Sequence, residues 1–218
     1  MKYEKYHIWR EIYMFFDNEM PTVVFEIGKK RTFLKRDNIY KLNSSPVYCY
    51  FILSGTAKIY IDHKNGRRSI LDFVGKNDWL GELSLFCYES DIKENRVLQD
   101  VECLEFNMNE LRKLCKENAK VSFYFASYIA NKLLARSYRM SENLNYSLNR
   151  RLAAFILQYQ QNSIYSIPHT DVSEYMNVSY RHVLYVIEQF CELGVLKKEK
   201  GKEYIISDIE KLKELQEK

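Results

Sequence analysis

Through its first half the chain shows short apolar bursts, which give way near Asn109 to a helical rhythm. Residues 22–106 are rich in Tyr, Phe, Ile and Val and are cut by turn signals, the signature of short strands in a small antiparallel roll or barrel. Tyr50-Phe51-Ile52-Leu53-Ser54-Gly55-Thr56-Ala57-Lys58-Ile59-Tyr60-Ile61 reads as two strands around a turn at Ser54-Gly55. Asn65-Gly66 is the strongest short hairpin signal in the chain, with a strand at 69–74 after it. Gly75, Asn77-Asp78 and Gly81 mark the next turns, and 100–106 fits a further strand.

From Asn109 to about Gln161 there is no Gly and no Pro. One seam runs Ala119, Phe123, Ala126, Ala130, Leu133, Ser137, Met140, Leu144, alternating four and three apart. That spacing suits a coiled-coil face whose small residues admit a close partner, so it predicts a dimer. A second stripe, Val121, Tyr124, Tyr128, Ala135 and Tyr138, is expected to pack back on the roll. The alternative is one wide core-facing stripe within a monomer.

Beyond Tyr146 the pattern predicts a helix through residues 152–157, Pro168, two short helices, and a small hairpin. Gly194 ends the second short helix as a C-cap. The hairpin turns through residues 197–202 and returns along 203–206. Residues 169–188 fit a helix-turn-helix position by position. Val172, Met176, Val178, Val183 and Val186 take the apolar points, and Ser173 is small where the helices cross. Asn177 tolerates the left-handed backbone of the turn, and Ser179 is a good N-cap. With the wing after it, this points to double-stranded DNA as partner. Basic and acidic residues balance from Tyr146 onward, so placement must matter. Arg181, His182 and the wing lysines are expected on one face, with the carboxylates elsewhere.

Composition narrows the remaining classes. The 218 residues are 46% hydrophobic and 28% charged with a formal net charge of +4, an ordinary globular mixture. No apolar run is long enough to span a bilayer, and the N-terminus carries no signal-peptide pattern, so a cytoplasmic protein without membrane contact is expected. Cys49, Cys87, Cys103, Cys115 and Cys191 are widely spread with no Cys-x-x-Cys, which suggests reduced thiols and no metal site. No Gly-x-Ser-x-Gly, P-loop, His-Glu-x-x-His or dinucleotide fingerprint is present, so catalysis is not expected.

Order and motifs resemble the cyclic-AMP receptor protein and fumarate-nitrate regulator (Crp/Fnr) superfamily over nearly the whole chain. The anchors are Tyr50-Phe51-Ile52-Leu53-Ser54-Gly55, Gly81-Glu82-Leu83-Ser84-Leu85-Phe86, and the motif ending Val178-Ser179-Tyr180-Arg181-His182-Val183. The Ser-Tyr-Arg-His run looks most like the YeiL-like branch. The resemblance implies an α+β chain: an antiparallel β-roll of the cyclic-nucleotide-binding, jelly-roll type (1–118), a dimerisation helix (119–145) and a winged helix-turn-helix (146–218). It implies a homodimer, RNA polymerase as a partner, and usually activation. Receptor-type members touch polymerase with a loop that is longer than residues 160–167 here.

The family's nucleotide site uses the Gly-Glu-Leu turn, with the Glu on the ribose hydroxyl, and an Arg ten residues later, followed by Ser or Thr, on the phosphate. Glu82 is present, but Ile92 and Lys93 stand where Arg and Ser or Thr belong. Gly81, Glu82, Leu83, Ser84, Lys93, Arg96 and Ser137 are the candidate effector-pocket residues, and a cyclic nucleotide is not expected. An Fnr-type iron–sulfur cluster needs cysteines near the N-terminus, whereas the first is Cys49. His7 and His63 are too thin a basis for haem. A thiol switch at Cys87 or Cys115, or another organic ligand, stays open.

The candidate DNA-binding residues are Thr170, Ser179, Tyr180, Arg181, His182, Tyr185, Lys197, Lys198, Lys200 and Lys202. The candidate interface residues are Phe123, Ala126, Ala130, Leu133, Ser137, Met140 and Leu144. The reading is a sequence-specific, homodimeric transcription regulator modulated by an unidentified effector. The alternative is a ligand-binding module whose winged helix contacts protein.

Overall fold

One continuous strand, Tyr48–Asp62, replaces the two strands expected around Gly55. Gly55 is not a turn but an irregularity, with φ +87° and register shifts on either side. A Cβ there would strike the Asp100 carbonyl of the neighbouring strand, so this glycine marks a bulge with close backbone approach.

The computed structural model describes residues 19–40, 46–87, 93–199 and 203–217. The chain divides into two units, Met1–Gly66 with Ile70–Ser137, and Arg67–Ser69 with Tyr138–Lys218. Among the described residues the first unit opens with helix α1 (Thr22–Glu26), which the sequence reading missed, and strand β1 (Lys29–Phe33). Then come β2 (Tyr48–Asp62), β3 (Arg68–Val74), β4 (Trp79–Leu80) and β5 (Glu94–Asn107). They form one sheet ordered β1-β5-β2-β3, with β4 also on β2. The β1–β5, β2–β4 and β2–β5 pairs are antiparallel. Gly66, at φ +77°, serves the hairpin expected at Asn65-Gly66.

The Gly-free stretch forms three helices: α2 (Met108–Glu117), α3 (Ala119–Asn145) and α4 (Leu148–Tyr159). Asn118 breaks the first junction, its side chain accepting the Lys120 and Val121 N–H groups. Ser147 caps α4 by accepting the Arg150 N–H. Trp79 anchors α3 to the roll. Its indole N–H donates to the Tyr124 hydroxyl and its backbone N–H to the Tyr128 hydroxyl, each at 2.9 Å. Phe51, Phe106 and Phe125 surround the ring. Of the second stripe, Val121, Tyr124 and Tyr128 are buried, but Ala135 is half-buried and Tyr138 is exposed. Phe125 takes the buried place instead. The helix is longer than the roll's apolar surface, so its stripe becomes polar beyond Tyr128.

The second unit carries α4, β6 (Ile164–Tyr165), α5 (His169–Met176), α6 (Tyr180–Glu192), β7 (Leu196–Lys198), β8 (Tyr204–Ile206) and α7 (Ile209–Glu217). The sheet order is β6-β8-β7. The strand β6 and the helix α7 were not foreseen. Residues 160–167 are held as an edge of the wing sheet, with Gln161 and Ile164 bonded to each other and Ile206 N–H donating to the Ser163 carbonyl.

Among the described residues no helix is long and apolar enough to cross a membrane, and no cluster of His, Cys, Asp or Glu could hold a metal.

Candidate DNA-reading helix and effector pocket

The turn between α5 and α6 is built as its residues require. Asn177 adopts φ +53°, ψ +46°, and the Ser179 hydroxyl accepts the His182 N–H. Val172, Met176, Val183 and Val186 are buried and Val178 is half-buried. Ile187 and Phe190 complete the inward face of α6. The Arg151 guanidinium donates to the Met176 carbonyl and to Asn143, and Arg139 donates to the Tyr175 hydroxyl at 2.7 Å. These bonds fix the α5 helix to the last turns of α3.

With that face inward, the opposite one is free. Tyr180, Arg181, His182 and Tyr185 are all exposed. Thr170 is exposed near the start of α5, and Lys197 and Lys198 are exposed on the wing. Lys200 and Lys202 lie outside the described residues. The expected separation of charge is not found on α6. Glu188 and Glu192 are exposed and follow Arg181 at seven and eleven residues, so they share its face. The helical period places them there, and counting charges along the sequence could not reveal it.

On α3 the whole seam is exposed. Phe123 is 66% accessible, Leu133 65%, Met140 67% and Leu144 77%, with Ala119, Ala126, Ala130 and Ser137 on the same face. Ser137 donates to the Leu133 carbonyl along the helix. It does not line the roll's pocket, so its dual assignment reduces to the seam.

That pocket lies under the 3-10 turn Glu82–Leu85. Gly81 enters the turn at φ +83°, and a Cβ there would run into the Tyr40 hydroxyl, which donates to the Tyr48 carbonyl at 2.6 Å. Gly81, Glu82, Leu83, Ser84 and Lys93 line the pocket. Arg96 does not; it is exposed, because strand alternation turns Asn95 inward and Arg96 outward. The sequence reading missed Lys132 and Arg136 of α3. They continue the Tyr124–Tyr128 stripe at four-residue steps, which was the available signal. Lys132 Nζ reaches Glu82 Oε1 at 2.9 Å with both side chains mostly buried, and Arg136 Nε stands 3.8 Å from Asp72 Oδ2.

The five cysteines are free. Burial pushes the Cys115 thiol up, away from the reactive thiolate. Cys87 is exposed, its thiol against the Leu83 carbonyl.

Residues 30–118 match the model of the cyclic nucleotide-binding domain, and residues 150–215 that of the Crp-like helix-turn-helix domain. The regulatory protein YeiL of Escherichia coli O157:H7 is 32% identical over 180 residues, 83% of this chain and 82% of YeiL. FixK2 from Bradyrhizobium japonicum has a similar fold, with TM-score 0.74, 17% identity and coverage of 87% of this chain and 97% of that one. A Crp/Fnr-family regulator from Eubacterium rectale gives TM-score 0.75 at 16% identity, covering 96% of this chain and 99% of the other. These similarities agree with the α+β roll and the helix-turn-helix, and the chain belongs to the Crp/Fnr family of transcription regulators, which are not enzymes.

Proposed function

We propose that this regulator acts in the cytoplasm as a homodimer that reads a pseudo-palindromic site in double-stranded DNA. The observation that carries the reading is the outward face of α6, where Tyr180, Arg181, His182 and Tyr185 stand exposed on a helix fixed by its buried side. Base contacts from the first turns of such a helix specify sequence, while Thr170 and the wing lysines grip phosphate. The exposed α3 seam supplies the dimer contact. Two copies then present two α6 helices about one DNA turn apart.

Family regulators usually place Glu two residues after the helix-opening Ser or Thr, and Arg four further on. Arg181 and Tyr185 hold those places here. Glu suits the amino group of cytosine and Arg the O6 and N7 edge of guanine, so the half-site differs from the common one. Glu188 adds an acceptor deeper along the same face. RNA polymerase remains the expected partner on DNA, through a surface other than residues 160–167, which the wing sheet occupies.

The pocket does not suit a cyclic nucleotide. The Glu82 carboxylate already accepts Lys132, and the expected Arg and Ser or Thr are replaced. The two carboxylates on α6 favour one rival, a winged helix that contacts protein. Gel shifts against genomic fragments separate the two. The DNA reading requires retarded bands that weaken steeply with salt, and complete absence of retardation overturns it.

A further inference from the structure

The outward stripe of α6 is not uniformly basic. Arg181, Tyr185, Glu188 and Glu192 follow one another at steps of four, three and four residues, and all are exposed. On a helix of 3.6 residues per turn they fall within about 60° of one another. Val183, Val186, Ile187 and Phe190 fill the opposite side and are at most 1% exposed. Any target laid along this stripe therefore meets Glu188. That carboxylate has no counter-charge on its own helix. One turn to either side stand Leu184, Tyr185, Cys191 and Glu192, none of them a cation. Among the described residues Glu188 enters no ion pair. A bare carboxylate in a DNA groove is repelled by phosphate whatever the sequence. A donor on a base edge offsets that cost, and the amino group of cytosine is the one that suits a carboxylate.

We propose that Glu188 is a specificity-determining residue, accepting the amino group of a cytosine about three base pairs from the guanine met by Arg181. The inference rests on the DNA reading of α6. Seven residues at about 1.5 Å each put about 10 Å along the helix between the two positions. That matches about three base steps of about 3.4 Å. Glu192 stands a further turn on, about 16 Å from Arg181, past the early turns of a recognition helix that meet base edges. Glu188 acts by exclusion as much as by attraction. Where the cytosine is missing, its carboxylate is left unpaired beside the phosphates, and the wrong sequence is bound less well. A lysine on a phosphate does the opposite, because it gains on every sequence.

The test is selection of sites from random duplex DNA with wild type, Glu188→Ala and Glu192→Ala, all as the full chain. Each protein is then titrated with the wild-type site, with that site carrying another base pair for the cytosine, and with an unrelated duplex. Wild type should prefer the cytosine site over its substituted form by about fivefold or more. In Glu188→Ala that preference should vanish, while the unrelated duplex should bind about threefold tighter or more. Glu192→Ala should keep the cytosine preference. If Glu188→Ala fails to fold, Glu188→Gln, which keeps the shape and loses the charge, replaces it. The proposal is overturned if the Glu188 variant retains the preference, if it binds the unrelated duplex no more tightly than wild type, if Glu192→Ala loses the preference as well, or if wild type selects no cytosine at that spacing. A wild-type motif that is indifferent to Glu188 removes this proposal and leaves the DNA reading standing. Selection of no motif, with no duplex retarded, removes both.

Discussion

Lys132 Nζ lies 2.9 Å from Glu82 Oε1, with the two side chains 11% and 5% exposed. The carboxylate at the place of the family's ribose ligand is thus satisfied by the chain's own long helix. Lys132 also points at the Trp79 carbonyl at 3.4 Å and sits 5.4 Å from the Tyr128 ring centroid. One cation therefore ties the pocket's turn to α3. Removing one partner from such a pair leaves a buried charge uncompensated, so Lys132→Met should cost about 3 to 5 kcal/mol in urea unfolding. Glu82→Leu with Lys132→Met should recover much of that loss. A double variant no more stable than Lys132→Met would show that the pair is not the source of the loss.

Asp78 makes stability depend on pH. Burial is the main reason its carboxyl is pushed up from 3.8 to about 6; nearby Asp72 adds to the rise, while the Gly75 N–H, Lys132 and the Tyr128 hydroxyl oppose it. A raised carboxyl pKa means the folded state holds the proton more tightly than the unfolded chain. Its contribution is therefore complete below about pH 4 and is lost as pH rises through about 6. Relative to Asp78→Asn, wild type should lose up to about 3 kcal/mol between pH 4 and pH 7. Denaturant unfolding of both proteins across that range checks it, and a pH-independent gap would be the contrary result.

The dimer has its own test. Leu133→Glu with Met140→Glu places two carboxylates in the exposed seam of each chain, and light scattering should then report monomers. A double variant that stays dimeric removes α3 as the interface.

On DNA, base contacts and phosphate contacts should separate. Arg181→Ala should cost roughly 1 to 3 kcal/mol on the cognate site and relax one base position. Lys197→Gln should weaken every sequence alike and lower the salt slope by about one. Competition gel shifts at several salt concentrations distinguish the two behaviours.

The helix-turn-helix was legible because it constrains residues close together in sequence. Asn177 in the left-handed turn and Ser179 on the His182 N–H stand where the sequence reading put them. Gly55 misled because one glycine signals a turn or a bulge equally well, and only the approach of the Asp100 backbone decides between them. The pocket was half legible. Its turn residues came from a local motif, but Lys132 and Arg136 arrive from a helix some fifty residues later. Reading α3 for apolar stripes alone passed over the cations that continue one of them. Arg96 failed for a simpler reason: the strand's two-residue period turns it away from the pocket that Asn95 and Lys93 line.

The central claim is sequence-specific reading of DNA by paired α6 helices, and selection of binding sites from random duplex DNA by the purified wild-type protein tests it most directly. The enriched sites should show two inverted half-sites about one helical turn apart, each with a guanine whose preference is lost when selection is repeated with Arg181→Ala. Recovery of no common motif by the wild-type protein would contradict the account.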